Sequence, residues 1–314
     1  MRPSARRRAL AALCLGLAAP RWALAQASGT IAVVYPEVGE PFRSVFARIV
    51  EGIDERARER VTKLVIDAHS NSAELAEELR RRDARVVIAL GRQGWTLVKP
   101  LEPSLAVIVG CVVSVPEGQA RGATIYTLAP DPALLFARLR ELVPAARRVI
   151  VVYDPRQNDW LLRLAREAAK AQGLELMAQE ASDLPAALRV YQAALARADA
   201  RRDTLWLPQD TSTVDESAVL PLVLKEAWER SLAVFSSNVS HVRRGALFAL
   251  YPDNLEIGRT LANAALRSLS GVRAAEGVFA LREVRAAVNT RTAAHLGLAP
   301  DAVASRFDLQ FPEP

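Results

Sequence analysis

The chain has 314 residues, of which 51% are hydrophobic, and a formal net charge of +6. Residues 1–25 hold five arginines and no acidic residue, so the rest of the chain has a net charge near +1 and gives no indication of a nucleic-acid partner. A chain of this length can bury a large core, and about two domains are expected.

The N-terminus has the layout of a secretory signal peptide. Arg6–Arg8 form a positive region, Ala9–Ala19 an apolar run, and Ala23–Ala25 a cleavage site with small residues at positions −3 and −1. The apolar run is too short for a stable membrane anchor. We therefore predict a signal peptide over residues 1–25 and a periplasmic mature protein. The alternatives are an uncleaved amphipathic helix, a twin-arginine export route and lipid attachment at Cys14.

The mature sequence begins with short apolar runs that alternate with amphipathic segments of helical spacing. The predicted strands of this first block are Thr30–Tyr35, Lys63–Ala68, Ala84–Leu90 and Leu105–Val113, and the predicted helices are Phe42–Arg60 and Ser72–Arg82. Continuous apolar strands flanked by helices indicate a parallel sheet covered on both faces. No apolar run after the signal peptide is long enough to cross a membrane.

The same alternation restarts after Thr127–Pro132, a break that holds two prolines. Asp131 is placed to cap the helix that follows, and Gly173 to end a later one. The predicted strands are Arg147–Tyr153, Leu174–Ala178, Asp203–Leu207, Leu232–Phe235, Ala246–Tyr251 and Val284–Val288, and the predicted helices are Asp131–Leu142, Asp159–Gln172, Leu184–Ala198, Glu216–Arg230 and Asn254–Leu269. Since no flexible linker separates the blocks, we expect them to dock closely.

The sequence lacks the motifs of common nucleotide sites and hydrolases. The first strand-to-helix turn, Pro36–Pro41, has one glycine and two acidic residues where a dinucleotide site needs three glycines, and neither a Walker A sequence nor a G-x-S-x-G elbow occurs. His69, His241 and His295 are isolated from other metal ligands and are expected at the surface or at loop ends. Cys111 is expected in the core. We therefore predict no cofactor, no metal and no catalysis.

A series of short motifs runs through the second block in order. They are Asp131–Leu135, Leu142–Val149 (LVPAARRV), Val152–Pro155 (VYDP), Leu205–Asp210 (LWLPQD), Val234–Asn238 (VFSSN), Gly245–Leu247 with Tyr251, Glu256–Arg259 (EIGR), and Ala287–Ala293 (AVNTRTA) with Leu296–Leu298. In order and spacing these motifs resemble those of the ABC-transporter substrate-binding family with a type I periplasmic-binding fold, which includes receptors for aromatic amino acids. The resemblance spans most of the mature chain and departs from the family pattern at Gly91–Gly94 and Gly122–Tyr126.

The resemblance implies an α/β fold of two doubly wound parallel-sheet lobes with a ligand cleft between them. The expected lobes are residues 26–128, completed by part of 252–285, and residues 129–251, with 286–314 returning across both. The resemblance also implies a receptor that captures a small polar solute by hinge closure and serves an inner-membrane ABC permease with its ATPase. Two alternatives stay open: a ligand-sensing partner of a membrane sensor kinase, and an envelope interaction protein with a vestigial pocket.

Ligands of open α/β sheets bind at the carboxyl ends of the strands, so the candidate site residues directly follow predicted strands. They are Gly91, Arg92, Gln93 and Gly94 in the first block, besides the turn Pro36–Gly39, and Asp154, Gln157, Asn158, Gln209, Asp210, Ser236, Ser237 and Asn238 in the second.

These candidates suit a zwitterion such as an amino acid. Backbone N–H groups and the guanidinium of Arg92 would bind its carboxylate, and Asp210, interpreted as free of any turn, would pair with its ammonium. The alternative is that Asp154, Asn158 and Ser236–Asn238 only cap helices or form a turn. Trp95 is interpreted as a core residue, with stacking on an aromatic ligand as the alternative.

Overall fold

A computed structural model of the chain describes residues 29–101, 105–116, 119, 122–272, 274–299 and 303–312. The predicted signal peptide, residues 1–25, and the alternative lipid site at Cys14 lie outside the described residues. Within the described ranges, no helix is long and apolar enough to cross a membrane.

Strands and helices alternate along the chain. The strands are β1 Thr30–Pro36, β2 Val61–Ile66, β3 Ala84–Leu90, β4 Ala106–Val112, β5 Thr124–Pro130, β6 Arg148–Tyr153, β7 Glu175–Glu180, β8 Asp203–Leu207, β9 Ala233–Ser236, β10 Phe248–Pro252, β11 Gly277–Leu281, β12 Val284–Asn289 and β13 Leu309–Phe311. The α-helices are α1 Phe42–Ala57, α2 Ser72–Arg81, α3 Gly91–Val98, α4 Pro132–Leu142, α5 Pro155–Ala171, α6 Leu184–Arg197, α7 Val219–Arg230, α8 Val239–Arg243, α9 Asn254–Leu269 and α10 Thr290–His295.

The first sheet has the strand order β11-β5-β4-β3-β1-β2, and all neighbouring strands pair in parallel. Helices α1 and α9 cover one face, toward which Ile31 and Val33 point, and helices α2 and α3 cover the other, toward which Ala32 and Val34 point. Because both faces of the sheet are covered, the four successive residues Ile31–Val34 of β1 are all buried. This burial explains the continuous apolar run at the start of the mature chain.

The second sheet has the strand order β13-β12-β10-β9-β8-β6-β7. Strands β6 to β10 pair in parallel, and β12 pairs antiparallel with β10. Helices α4 and α5 cover one face, and α6 and α7 cover the other. Two mostly parallel sheets, each covered on both faces, confirm the predicted fold class of two doubly wound lobes.

The described chain passes between the sheets from β5 into α4, from β10 into α9, and from β11 into β12. The N–H of Asp131 donates to the carbonyl oxygen of Leu281 at 2.8 Å, and the N–H of Asp253 donates to that of Glu283 at 2.9 Å. These hydrogen bonds join each of the first two connections to the third. The three connections therefore run side by side.

Helix α9 follows the second sheet in sequence but packs on α1 of the first lobe. A Cβ atom added at Gly258 would lie 2.0 Å from the carbonyl oxygen of Ile49, and one at Gly52 would lie 2.1 Å from that of Leu255. The two helix backbones are therefore in direct contact, with no room for a side chain between them. This contact fastens a late segment of the chain to the first lobe.

Two local features differ from the sequence-based expectation. Helix α5 begins at Pro155, not at Asp159, because the side chain of Asp154 accepts from the N–H of Arg156 at 3.0 Å and proline suits the first helical position. Cys111 is only partly buried; it has φ of +61° at a break in the β4–β5 pairing, and desolvation raises the pKa of its thiol to about 12.

Candidate ligand-binding cleft

The sequence-predicted site residues lie at the carboxyl ends of parallel strands. In the first lobe they follow β1 and β3, and in the second lobe they follow β6, β8 and β9. In open α/β sheets these ends border the ligand crevice. The contacts of each side chain decide which groups remain free for a ligand.

Helix α3 presents an uncapped N-terminus at the edge of the first sheet. Its N-cap residue makes no side-chain hydrogen bond, and its first turn holds no acidic residue. Gly91 begins the helix with φ of +74°, and a Cβ atom there would lie 3.5 Å from Cζ of Phe46. Gly94, on the next turn of α3, packs against β1: a Cβ atom on Gly94 would lie 3.2 Å from the carbonyl oxygen of Val34. The first backbone N–H groups of α3 are therefore donors suited to an anion.

The polar side chains of α3 brace neighbouring loops. Nη2 of Arg92 donates to the carbonyl oxygen of Ser114 at 2.9 Å, and Nε2 of Gln93 donates to that of Asp67 at 2.7 Å. These bonds tie α3 to the segments that follow β4 and β2. Trp95 is 3% exposed and packs in the core, which confirms its interpretation as a core residue.

Asp210 is the centre of a hydrogen-bond network in the second lobe. Its Oδ2 accepts from the N–H of Asp154 at 2.8 Å and from Nδ2 of Asn158 at 2.9 Å. Its Oδ1 accepts from the N–H groups of Ser212 and Thr213, at 3.0 and 3.3 Å, and from the Ser212 hydroxyl. The interpretation of Asp210 as free of any turn is wrong, since this carboxylate holds the turn at 210–213 and ties it to the start of α5.

Asp154 is likewise occupied by partners from its own lobe. It caps α5, and Nε and Nη2 of Arg156 bind its Oδ1 and Oδ2 at 3.0 and 2.7 Å. These hydrogen bonds from Arg156 hold the pKa of Asp154 below its usual value. Both candidate carboxylates at this edge are therefore already paired.

Unused hydrogen-bonding capacity remains beside this network. Oδ1 of Asn158, Oε1 of Gln209 and the hydroxyl of Tyr191 are buried and have no hydrogen-bond partner among the described residues. The first two are acceptors, and the tyrosine hydroxyl can also donate. The side-chain network is thus rich in acceptors, whereas the first lobe contributes the donors of α3.

The three candidates after β9 are bonded within the second lobe. Oγ of Ser236 lies 2.8 Å from Nδ1 of His241 and accepts from the N–H of Asn238 at 3.0 Å. Oγ of Ser237 accepts from Nε1 of Trp206 at 3.1 Å. Asn238 caps α8 with its side-chain oxygen. These contacts agree with the interpretation of this segment as a turn and a cap.

The structure groups the candidates into three sets. Asp154, Asn158 and Asp210 form one network, Ser236–Asn238 form a second group at the end of β9, and Gly91–Gly94 belong to the first lobe. The residues of these networks that sequence reasoning missed are Arg156, Tyr191, Ser212, Thr213 and His241. The run Asp210–Thr213, a carboxylate followed by hydroxyl residues, is typical of an Asx turn, so this turn could have been predicted from the sequence.

His241 is buried, which corrects the expectation that all three histidines lie at the surface or at loop ends. Desolvation lowers the pKa of His241 to about 4, although the carboxylate of Glu216, 3.8 Å from Nε2, opposes this shift. His69 and His295 are exposed. Within the described residues, no cluster of His, Cys, Asp or Glu is placed to hold a metal ion.

We expect the free energy of unfolding to fall by about 2 kcal/mol between pH 7 and pH 5. The unfolded chain protonates His241 as the pH drops through about 6.5, whereas the folded chain does so only near pH 4, so protons favour unfolding in this interval. Urea unfolding at the two pH values measures the difference. His241→Gln should remove most of it, and His69→Gln, at an exposed position, should keep it. An equal pH dependence in both variants would contradict the assignment to His241.

A family model described as ABC transporter substrate binding protein matches residues 135–305, more than half of the chain. The chain belongs to this family. The match begins within α4 and contains strands β6 to β10 and β12 of the second sheet. It also contains α9 and β11, which belong to the first lobe.

Solved structures of low sequence identity share the fold of this substrate-binding protein. An ABC domain from Streptococcus pneumonia in complex with L-Trp has 14% identity and a TM-score of 0.58, covering 90% of this chain and 100% of its own. A conserved domain protein from Vibrio cholerae has 18% identity, a TM-score of 0.56 and the same two coverages. A ligand-free, open substrate-binding protein with adhesive properties from Clostridium difficile has 14% identity and a TM-score of 0.60, covering 86% and 95%. No curated protein matches the sequence.

Proposed function

We propose that this family member is an exported receptor that captures a small polar solute between its lobes and delivers it to an inner-membrane ABC permease and its ATPase. The signal-peptide pattern of residues 1–25 supports a periplasmic location. The side-by-side connections between the sheets suit closure about a hinge. The structural relative that holds L-Trp supports a solute with a carboxylate, such as an amino acid or a similar molecule. The receptor has no catalysis of its own.

The observation that carries the proposal is the uncapped start of α3. Among the described residues, no side chain caps this N-terminus, and no acidic residue in its first turn competes for the backbone N–H groups. Helix N-termini bind carboxylates because these N–H groups and the helix dipole both favour negative charge. Arg92, exposed in the same turn, adds a positive charge. A carboxylate solute is therefore bound by the first lobe and enclosed by the second.

Thermal unfolding of the mature protein, from Gln26 onward, tests this function. The protein should first be unfolded and refolded to strip any bound solute, and then screened with amino acids, organic acids, nucleosides and sugars. A solute that binds only the folded state adds about 2.7 kcal/mol of stability at a hundredfold excess over its dissociation constant. We expect a raised melting temperature with a carboxylate-bearing class.

A matched pair of variants locates the carboxylate. Arg92→Glu places a negative charge in the first turn of α3 and should abolish the shift in melting temperature. Arg189→Glu makes the same charge change at an exposed position of α6 and should preserve it. Binding that survives Arg92→Glu would show that α3 does not hold the carboxylate.

A second candidate function is a ligand-sensing or interaction protein of the envelope, partnered with a membrane sensor kinase or other machinery. The family match begins at residue 135, so strands β1 to β5 and helices α1 to α3 of the first lobe have no match. This favours a changed role for the first lobe's half of the cleft. A stripped protein that no solute in the panel stabilises would support this second function.

A further inference from the structure

A groove runs along the side of the first lobe, between α1 and the edge strand β2; we call it the α1–β2 groove. It holds a cavity of about 570 Å³, within the usual range of small-molecule sites. Tyr35, Phe46, Val50 and Val65 supply its apolar lining. Val65 is 56% exposed, and Phe42, one turn before Phe46 on α1, is 62% exposed. Uncovered apolar side chains beside a cavity indicate a binding surface.

The charges around the groove largely cancel. Three of the four carboxylates that line it are ion-paired: Asp54 with Lys63, Glu51 with Arg48 and Glu55 with Arg259. The fourth, Glu37, is offset by the positive charge of Arg43, which also lines the groove. The groove therefore suits an uncharged, apolar group.

The groove adjoins the candidate cleft. One end is formed by Pro36–Val38, which follow β1 at the edge where the predicted ligand residues lie. Phe46 forms part of the wall, and its ring lies beside Gly91, since a Cβ atom on Gly91 would be 3.5 Å from Cζ of Phe46. A solute held by its polar end at the start of α3 can therefore extend past Phe46 into the groove.

The two candidate carboxylates at the ligand edge of the second lobe, Asp210 and Asp154, have no free capacity for a ligand cation. Asp210 accepts hydrogen bonds from three residues of its own turn and of α5 and from the N–H of Asp154. Asp154 is bound by the guanidinium of Arg156. An ammonium bound to either carboxylate would have to displace donors that hold the lobe together. The acceptors without a partner among the described residues here, Oδ1 of Asn158 and Oε1 of Gln209, belong to uncharged amides.

We propose that the solute is an apolar carboxylate: its apolar body, of phenyl size or larger, binds in the α1–β2 groove, and recognition requires no ammonium group. This inference rests on the proposed function and narrows its solute class. It assigns the groove as the subsite that selects for the apolar body.

Four small molecules separate the parts of this inference when they are titrated into the mature protein by calorimetry. They are 3-phenylpropionate, L-phenylalanine, phenethylammonium and propionate. We expect 3-phenylpropionate to bind at least as tightly as L-phenylalanine, and phenethylammonium not to bind. Propionate lacks the ring and should bind roughly tenfold to a hundredfold more weakly than 3-phenylpropionate, because burying a phenyl group strengthens binding by about that factor.

Two pairs of variants test the groove itself. Val65→Asp puts a charge on the apolar floor of the groove and should weaken the binding of 3-phenylpropionate about tenfold or more. The control Val272→Asp changes an equally exposed valine, at 57%, and should leave the binding unchanged. Ala47→Trp should fill the groove from the exposed side of α1 and also block binding, while Ala193→Trp on α6 should not. Unchanged melting temperatures without ligand show that the variants fold.

The outcomes distinguish this inference from the proposed function. If L-phenylalanine binds tenfold more tightly than 3-phenylpropionate, the claim that recognition requires no ammonium group is overturned. A bound solute of any class whose affinity is unchanged in both Val65→Asp and Ala47→Trp would overturn the groove subsite and leave the receptor function intact. Failure of every solute in the wider panel would overturn both.

Discussion

Gly258→Ala is expected to lower the free energy of unfolding by at least about 3 kcal/mol. The added methyl group would lie 2.0 Å from the carbonyl oxygen of Ile49 and 3.0 Å from Cα of Gly52. These are backbone atoms, which cannot rotate away as a side chain can, so α9 must move off α1. Alanine is intrinsically the better helix former by about 1 kcal/mol, so helix propensity opposes the loss and cannot explain it. Urea unfolding monitored by circular dichroism measures the change.

Gly39→Ala is the control for this prediction. Gly39 has no atom within 4 Å of the position of an added Cβ, and its backbone does not need a glycine. We expect its free energy of unfolding to stay within about 0.5 kcal/mol of the parent protein. If Gly258→Ala also stayed within that range, the close contact between α1 and α9 would be absent in solution. The contact matters for function because α9 fastens the second and third connections between the lobes to the first lobe.

Asp210→Ala is expected to cost about 3–5 kcal/mol of unfolding free energy. The substitution removes the acceptor for the buried N–H groups of Asp154 and Thr213, for the buried amide of Asn158, and for the part-buried N–H of Ser212. Buried donors left without partners carry the full desolvation penalty. Denaturant unfolding gives the magnitude. If this variant lost solute binding, the cause would be the destabilised second lobe and not a missing contact with the ligand. Arg92→Glu is therefore the better test of the site.

Asp159→Ala provides the comparison for Asp210→Ala. Asp159 forms an ion pair with Arg163 one turn along α5, and both side chains are partly exposed. Exposed pairs of this kind contribute little, so we expect a change of less than about 1 kcal/mol. Equal effects of the two substitutions would mean that the network around Asp210 does not hold the second lobe together.

The strands most legible in the sequence are those buried on both faces. Ala84–Leu90 and Asp203–Leu207 were predicted at their observed limits, because every residue of a central parallel strand tends to be apolar. Helix Asn254–Leu269 was predicted equally well, since Asp253 supplies the capping side chain ahead of an amphipathic segment. Strands β5, β11 and β13 were missed: β11 is half-buried at a sheet edge, and β13 has three residues, too few for a pattern.

The structure shows which partners each candidate side chain already has. The location of the candidates followed from strand ends alone and needed no contacts. The hydrogen bonds that occupy Asp210 and the burial of His241 could not be derived in the same way, because both depend on other elements. Helix α5 meets the turn after β8, and α8 packs back on β9. The α1–β2 groove could not be predicted either, because the exposure of Val65 beside α1 depends on how these two elements pack in three dimensions.

By itself, the sequence determined the alternation of strands and helices, the two α/β blocks and the family. Periodicity, capping residues and motif order are local properties, and they survive in a linear chain. Tertiary structure alone decided the pairing of β11 with β5, the backbone contact of Gly52 with Gly258, and the groove beside Val65. Each of these joins segments that are distant in the chain or depends on how completely one element covers another, and local sequence carries no record of that.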